Sequence, residues 1–189
     1  MGDSCPKTEV AFNPEKLEHP TLAFFREYWD SKRAGRAMPA RKDISPSEVR
    51  EHLGWMILID VLPEMKDFRY RLIGTLVTQY FNTDATGALV SEAWSVAGPD
   101  RVRSMLALLR HVAGSAAIVH LKGSKDWEST GFEEFESLYL PLSDDGKTVN
   151  HVLNVFVFDK HAVLMAREIS RTSGERPAPA GTRRGGRTN

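Results

Sequence analysis

The sequence has one cysteine, no excess of charge of either sign and no long hydrophobic run. Since Cys5 is the only cysteine among 189 residues, an intrachain disulfide and a metal site built on several thiolates are excluded. Lys and Arg together number 25, as do Asp and Glu, so the net charge gives no reason to expect nucleic acid or an anionic membrane as a partner. A lone thiol is typical of a reducing compartment, and we therefore expect a cytoplasmic protein.

Signals for membranes and for catalysis are missing as well. The longest apolar runs, residues 55–62 and 152–158, are too short to cross a bilayer, and the N-terminus lacks the features of a signal peptide. The chain has no Gly-x-Ser-x-Gly, P-loop or Gly-x-Gly-x-x-Gly motif, and its six histidines lack the spacing of metal ligands. We therefore expect no membrane insertion, no metal site and no enzymatic activity.

Composition and pattern divide the chain into four parts. We predict a flexible arm over residues 1–19, a helical extension over 20–54, a folded domain over 55–169 and a disordered tail over 170–189. Five arginines lie in the tail, but no aromatic side chain lies between them to stack on bases. We interpret the tail as a solubilising end and expect no nucleic-acid partner.

The first predicted helix, residues 20–33, carries an unusually wide aromatic stripe. Pro20 suits the first turn, and the stripe consists of Phe24, Phe25, Tyr28 and Trp29 together with Leu22. Such a stripe needs a partner surface. Two explanations remain open at this point: the helix packs on its own domain, or it contacts a protein partner or a second copy of the chain.

The following segment predicts a short helix and two strands. Ser45, Pro46 and Glu48 have the spacing of a capping box, which predicts a helix that ends before Gly54. Residues 55–62 read as a buried strand. Alternation over residues 68–73 predicts a strand with its arginines on a wet face.

The second half of the chain contains the clearest helix, residues 99–113, and three further strands. The strands are predicted at residues 116–121, 132–142 and 148–158, with a hairpin turn at 144–146. Residues 159–169 fit either a continued strand or a short helix. The order of elements predicts an α+β fold, a five-stranded antiparallel sheet with helices on one face, plus the N-terminal helical extension.

Several fragments, in this order and spacing, resemble the PAS sensory fold. The resemblance is closest to the compact bacterial PAS family with an N-terminal aromatic helix, and it covers about residues 20–158. The fragments are Tyr28-Trp29, Pro39-Ala-Arg41, Asp43-Ile-Ser-Pro46, residues 68–75, Asp84-Ala-Thr-Gly87 and Leu140-Pro-Leu-Ser143 with Asp145-Gly146. Asn82 stands where the family often has glycine, and Asn tolerates the left-handed conformation required there.

The resemblance implies a sensory or regulatory role through ligand binding, protein contact or both. The sequence contains no kinase, cyclase or DNA-binding unit, so we expect a stand-alone module without its own output domain. The alternative is a small enzyme or carrier that uses the same cavity for a metabolite. A fold of this kind does not by itself name a ligand.

Six side chains are candidates to line a cavity between sheet and helices, and the alternative is that they form an ordinary core. They are Tyr80, Phe81, Trp94, Met105, Leu109 and Tyr139. The sequence argues against the two familiar cofactors. Haem ligation by His111 requires the buried face of the long helix, but His111 lies opposite its apolar stripe. Flavin photochemistry requires a cysteine in the domain, and Cys5 lies in the arm.

Overall fold

Six antiparallel strands form one sheet in the computed structural model, which describes residues 8–127 and 131–158. The strands are β1 (Glu9–Phe12), β2 (Met56–Val61), β3 (Phe68–Ile73), β4 (Val119–Trp127), β5 (Gly131–Leu142) and β6 (His151–Phe158). Their order across the sheet is β1-β4-β5-β6-β2-β3. The α+β class and the PAS-like sheet predicted from the sequence are confirmed, with one strand more than predicted. The predictions for Cys5, for residues 159–169 and for the tail lie outside the described residues.

Four α-helices accompany the sheet: α1 (Pro20–Lys32), α2 (Thr75–Phe81), α3 (Val90–Ala93) and α4 (Pro99–Ser115). Short 3-10 turns lie at Arg41–Asp43, Arg50–Trp55, Pro63–Met65 and Ser95–Ala97. None of the helices in the described part of the chain has the length and apolar character that a bilayer span requires.

The two faces of the sheet are covered by different parts of the chain. Phe156 and Phe158 of β6 contact the aromatic rings of α2, so this face is covered by α2, α3 and α4. Leu153 points to the opposite face, where it lies with Leu53 and Val49 of the N-terminal extension. Neighbouring residues of a strand point to opposite faces. We call the two sides the helix-covered face and the extension-covered face.

Helix α1 packs on the extension-covered face, which accounts for most of its aromatic stripe. Leu22, Phe25 and Trp29 are buried, and the Trp29 Nε1 donates a hydrogen bond of 2.8 Å to the carbonyl oxygen of Pro141 in β5. The first explanation of the stripe therefore holds for Phe25 and Trp29. Their side chains are covered by their own domain.

The region after α1 differs from the predicted capped helix. Residues 46–49 form turns, and a 3-10 helix follows at Arg50–Trp55. Glu48 does not cap a helix: its carboxylate accepts hydrogen bonds from the Tyr28 hydroxyl at 2.6 Å and from Lys32 Nζ at 2.8 Å. The Tyr28 oxygen also accepts the N–H of Ser45. These bonds to α1 compete with the local capping box and tie the extension to the helix instead.

Strand β1 lies within the segment that we predicted as an arm. It is joined to the rest of the sheet at Asn13, whose N–H donates to the Ile118 carbonyl at 2.7 Å and whose side-chain oxygen accepts the Ile118 N–H at 3.0 Å. Asn13 adopts a left-handed conformation with φ 47°. A four-residue strand paired with a segment so distant in sequence carries little local signal.

Three turns show how local residues end the elements. Asn82 ends α2 in the left-handed conformation with φ 51°, as expected for the residue that replaces glycine. Helix α4 continues past the predicted Gly114 end and stops at Ala116, which also has φ 51°. In the predicted hairpin turn, the Asp145 carboxylate accepts the N–H groups of Lys147 and Thr148, and these bonds hold its pKa well below the usual range.

Gly74 allows the start of α2 to touch the end of the extension. A Cβ atom at Gly74 would lie 2.4 Å from the Leu53 carbonyl oxygen and 2.5 Å from that of Gly54. We expect Gly74→Ala to reduce the free energy of unfolding by about 3 kcal/mol, because backbone atoms must move. The control is Gly114→Ala, where the nearest atoms are 4.0 Å away in the flexible Met65 side chain; it should gain up to about 1 kcal/mol from helix propensity. Urea unfolding of both variants measures this, and equal stabilities would contradict the close contact.

His19 makes the cap of α1 sensitive to pH. Its Nδ1 accepts the Thr21 N–H at 3.2 Å, which only the unprotonated nitrogen does. Burial lowers the pKa of His19, and nearby Glu136, which is paired with His120, partly opposes this. A lowered pKa in the folded state means that stability is lost as pH falls from 6.5 towards that lower value. We therefore expect the melting temperature to fall less between pH 7.5 and 5.5 in His19→Asn than in the parent chain. Asn caps without titrating, and parallel pH profiles would contradict the assignment.

Candidate functional site

Five hydrogen-bonding side chains meet in the core beneath the helices. Trp94 Nε1 donates to the Tyr70 hydroxyl at 2.9 Å. The Asn154 amide nitrogen donates to Ser137 Oγ at 2.6 Å and to the Leu138 carbonyl at 3.2 Å. We call this group the polar cluster; its members are Tyr70, Trp94, Ser137, Tyr139 and Asn154. All but the half-buried Trp94 are buried.

The sheet register brings the members of the polar cluster together. Ser137 and Tyr139 are two residues apart on β5 and therefore share a face. Asn154 of β6 lies directly opposite Tyr139. Tyr70 projects from β3, and Trp94 follows the last residue of α3. Four strands and helices thus contribute to one site on the helix-covered face.

The polar cluster is electrically neutral. Burial raises the pKa of the Tyr139 hydroxyl above its ordinary value, although a hydrogen bond with Ser137 opposes the rise. Burial raises the pKa of Tyr70 as well, and here the hydrogen bond from Trp94 opposes it. Both tyrosines keep their protons at physiological pH. The arrangement therefore offers neutral donors and acceptors, which suit an uncharged polar group.

The predicted pocket residues fall into separate groups in the structure. Trp94 and Tyr139 belong to the polar cluster. Tyr80 and Phe81 instead join an aromatic cluster with Phe156 and Phe158, in which the Tyr80 and Phe158 ring centroids lie 4.1 Å apart. Leu109 of α4 is buried, and Met105 of the same helix is half-buried.

Sequence reasoning missed Tyr70, Ser137 and Asn154 as site residues. Asn154 carried a usable signal, because it is a polar residue inside the apolar run of β6. Tyr70 was recognised only as a member of the buried side of β3. Ser137 had no signal of its own, since its role depends on the register of β5 against β6.

Openings in the surface lie on both faces of the sheet. A shallow groove of about 390 Å³ is lined by Ser95, Pro99, Val102 and Arg103, directly after Trp94 in the chain. On the extension-covered face, apolar side chains enclose a cavity of about 50 Å³, with Arg41 as its charged lining residue. Ligand pockets usually hold about 300–1,000 Å³, so the groove has the relevant size and the smaller cavity does not.

Other candidate residues lie away from the polar cluster. His111 is exposed on α4, as predicted, and its ring lies 4.8 Å from that of Phe12. Arg69 and Arg71 lie on the wet face, where Arg71 pairs with Asp60 at 2.7 Å. Within residues 8–127 and 131–158, no three His, Cys, Asp or Glu side chains come together as metal ligands.

The four predicted contact residues of α1 have different surroundings. Phe25 and Trp29 are buried in their own domain. Phe24 and Tyr28 are half-buried, and their rings stack with centroids 5.9 Å apart. The Phe24 ring also contacts His52 at 4.5 Å. A partner contact through α1 therefore stays a prediction for Phe24 and Tyr28.

Comparison with family models finds a match to most of the chain. A family model described as PAS domain matches residues 17–157, more than half of the chain. No curated protein shows a significant match.

Two solved structures are among those that match this chain. One is the PAS domain of BvgS from Bordetella pertussis, with 14% identity and a TM-score of 0.46 over 68% of this chain and 93% of that chain. The other is an RNA-binding Light-Oxygen-Voltage receptor, with 12% identity and a TM-score of 0.47. That match covers 89% of this chain and 44% of the receptor.

Removing the Tyr70 hydroxyl should loosen Trp94. In Tyr70→Phe the indole N–H of Trp94 loses its hydrogen-bond acceptor. We expect the free energy of unfolding to fall by about 1–3 kcal/mol, because a partly buried donor is left unsatisfied. The indole should also become more accessible, which a red shift of tryptophan emission and stronger acrylamide quenching would report. Tyr28→Phe is the control, because it removes a hydroxyl outside the polar cluster. Identical quenching in the two variants would contradict the role of the Tyr70 bond.

Proposed function

Because this chain belongs to the PAS domain family, a family of sensory and regulatory modules, we propose that it binds a small uncharged molecule at the polar cluster. The observation that carries the proposal is the convergence of five neutral hydrogen-bonding side chains in an otherwise apolar core. Burying polar groups costs free energy unless they are hydrogen-bonded. Replacing hydrogen-bonded partners by apolar groups of the same shape can be neutral or stabilising, so packing alone does not require polar side chains at these positions.

The chemistry of the cluster describes the ligand. Tyr70 accepts a hydrogen bond from Trp94, so its own proton remains to be donated, and Tyr139 contributes a second hydroxyl. No member of the cluster is charged, which disfavours an anion or a cation because neither would be neutralised. A flat, neutral, heteroaromatic or phenolic molecule with one or two hydrogen-bonding atoms fits these groups best.

Trp94 is the proposed point of entry. It is the half-buried member of the cluster, and it belongs to a short segment between the four-residue helix α3 and the turn at Ser95–Ala97. Ser95, which follows Trp94 directly in the chain, lines the groove together with Pro99. A ligand that donates a hydrogen bond to the Tyr70 hydroxyl takes the place of the Trp94 indole N–H. One hydrogen bond is exchanged for another, so displacing the indole costs little free energy.

Displacement of Trp94 would carry the signal to the surface. Val96, two residues later, is 83% exposed and is the most exposed large apolar side chain of the described residues. Movement of this segment changes a surface that a protein partner would contact. We therefore propose a regulatory module in which ligand occupancy is reported by protein contact, not by chemistry on the ligand.

The test is a screen of uncharged aromatic and heteroaromatic metabolites against the full chain. Thermal shift identifies binders, and quenching of tryptophan fluorescence confirms that Trp94 is displaced. For any binder, we expect Tyr139→Phe to weaken the affinity about tenfold, since one buried hydrogen bond is lost. Tyr28→Phe should bind like the parent chain.

Two results would contradict the proposal. One is a set of binders whose affinity is unchanged in Tyr139→Phe, which would place the ligand elsewhere. The other is a screen in which only charged molecules bind, since the neutral cluster offers them no counter-charge.

A further inference from the structure

The outer edge of β1 carries exposed apolar side chains. β1 is the terminal strand of the sheet, and within the described residues no strand pairs with its outer side. Val10 is 48% exposed and Phe12 is 57% exposed. An open strand edge with apolar side chains is a template for pairing with another strand.

The direction of the backbone groups shows which residues of β1 are available. The Asn13 N–H donates to Ile118 in the neighbouring segment, so the carbonyl of Phe12, in the same peptide plane, points away from the sheet. Because these directions alternate along a strand, Glu9 and Ala11 bond to β4, while Val10 and Phe12 present their N–H and C=O groups to the outer edge.

We propose that two copies of this chain pair through β1, antiparallel, around a twofold axis at Ala11. This register places Val10 opposite Phe12 of the second copy, so both residues with outward backbone groups form hydrogen-bonded pairs. Ala11 then lies opposite itself in a close, non-hydrogen-bonded pair. The two six-stranded sheets become one continuous sheet.

The side chains suit this register on both faces. Val10 and Phe12 share one face of β1 with His111 of α4, which the Phe12 ring contacts at 4.8 Å. Pairing gathers two copies of Val10 and two of Phe12 into one apolar group. On the opposite face the small Ala11 side chains meet at the axis.

Charge does not oppose a second copy as the occupant of this edge. Glu9 lies opposite Asn13 of the other copy, so no carboxylate faces a carboxylate across the new strand pair. The chain has a formal net charge of zero, so two copies do not repel each other at long range. The contact is small, and we expect a weak dimer that forms at high protein concentration.

Single-cysteine crosslinking of the full chain tests the register. In a Cys5→Ser background, Ala11→Cys should form a disulfide-linked dimer under mild oxidation, because the two positions face each other within disulfide distance. Glu9→Cys is the matched control: it is exposed on the same face of the same strand, but the two copies of this position are four residues out of register. We expect crosslinking of Ala11→Cys to be at least about tenfold faster.

A backbone variant tests the hydrogen bonds. Val10→Pro removes an outward N–H and leaves the bonds to β4 in place. Sedimentation velocity should show self-association weakened at least about tenfold, at an unchanged melting temperature. Each of three results would overturn the proposal: a parent chain that stays monomeric at high concentration, equal crosslinking of the two cysteine variants, or a β1 edge occupied only by a strand of a different protein. None of these variants touches the polar cluster, so ligand binding stands or falls separately.

Discussion

Strand β6 is apolar on both sides, and this constraint determines how the rest of the chain is arranged. Leu153 and Val155 must be buried on one face, and Phe156 and Phe158 on the other. One helical layer satisfies only one face. The N-terminal extension is therefore not an appendage: α1 and the segment to Trp55 supply the second layer, and Trp29 fixes that layer to Pro141 of β5. Without the extension, the apolar side chains of three strands would face water.

Because both faces of β6 are buried, the polar cluster lies in a part of the core where apolar side chains are the rule. On the helix-covered face, β5 and β6 carry aromatic residues at one end and hydrogen-bonding residues in the middle. The aromatic end is filled by Tyr80, Phe81 and their neighbours. The polar part includes Trp94, which follows the short helix α3 and whose indole N–H donates a hydrogen bond to the Tyr70 hydroxyl. The least regular part of the helical layer thus lies over the most polar part of the core, where a ligand would gain most from replacing a side chain.

Much of the fold followed from local signals in the sequence. Pro99 and the apolar stripe placed α4 to within two residues at each end, and the alternation of Phe68 and Tyr70 gave the buried side of β3. The capped helix predicted from Glu48 was wrong. The spacing of Glu48 from Ser45 is that of a capping box, but its partners are Tyr28 and Lys32, sixteen or more positions earlier. The site was harder still. Trp94 and Tyr139 were named, but Ser137 and Asn154 become neighbours only through the β5–β6 register, which no local pattern encodes.

Strand β1 is held in a way that sets it apart from the other five strands. It pairs with β4, more than one hundred positions later in the chain, and the bond between Asn13 and Ile118 joins residues 105 positions apart. Its side chains are exposed and contribute little to the core. Closing so long a loop is slow and brings little burial in return. β1 should therefore be added to the sheet late in folding and should open independently of it, with a free energy well below that of global unfolding. When β1 detaches while the core stays intact, the edge of β4 becomes exposed. A strand of a neighbouring molecule can then pair either with β1 or, in its place, with β4.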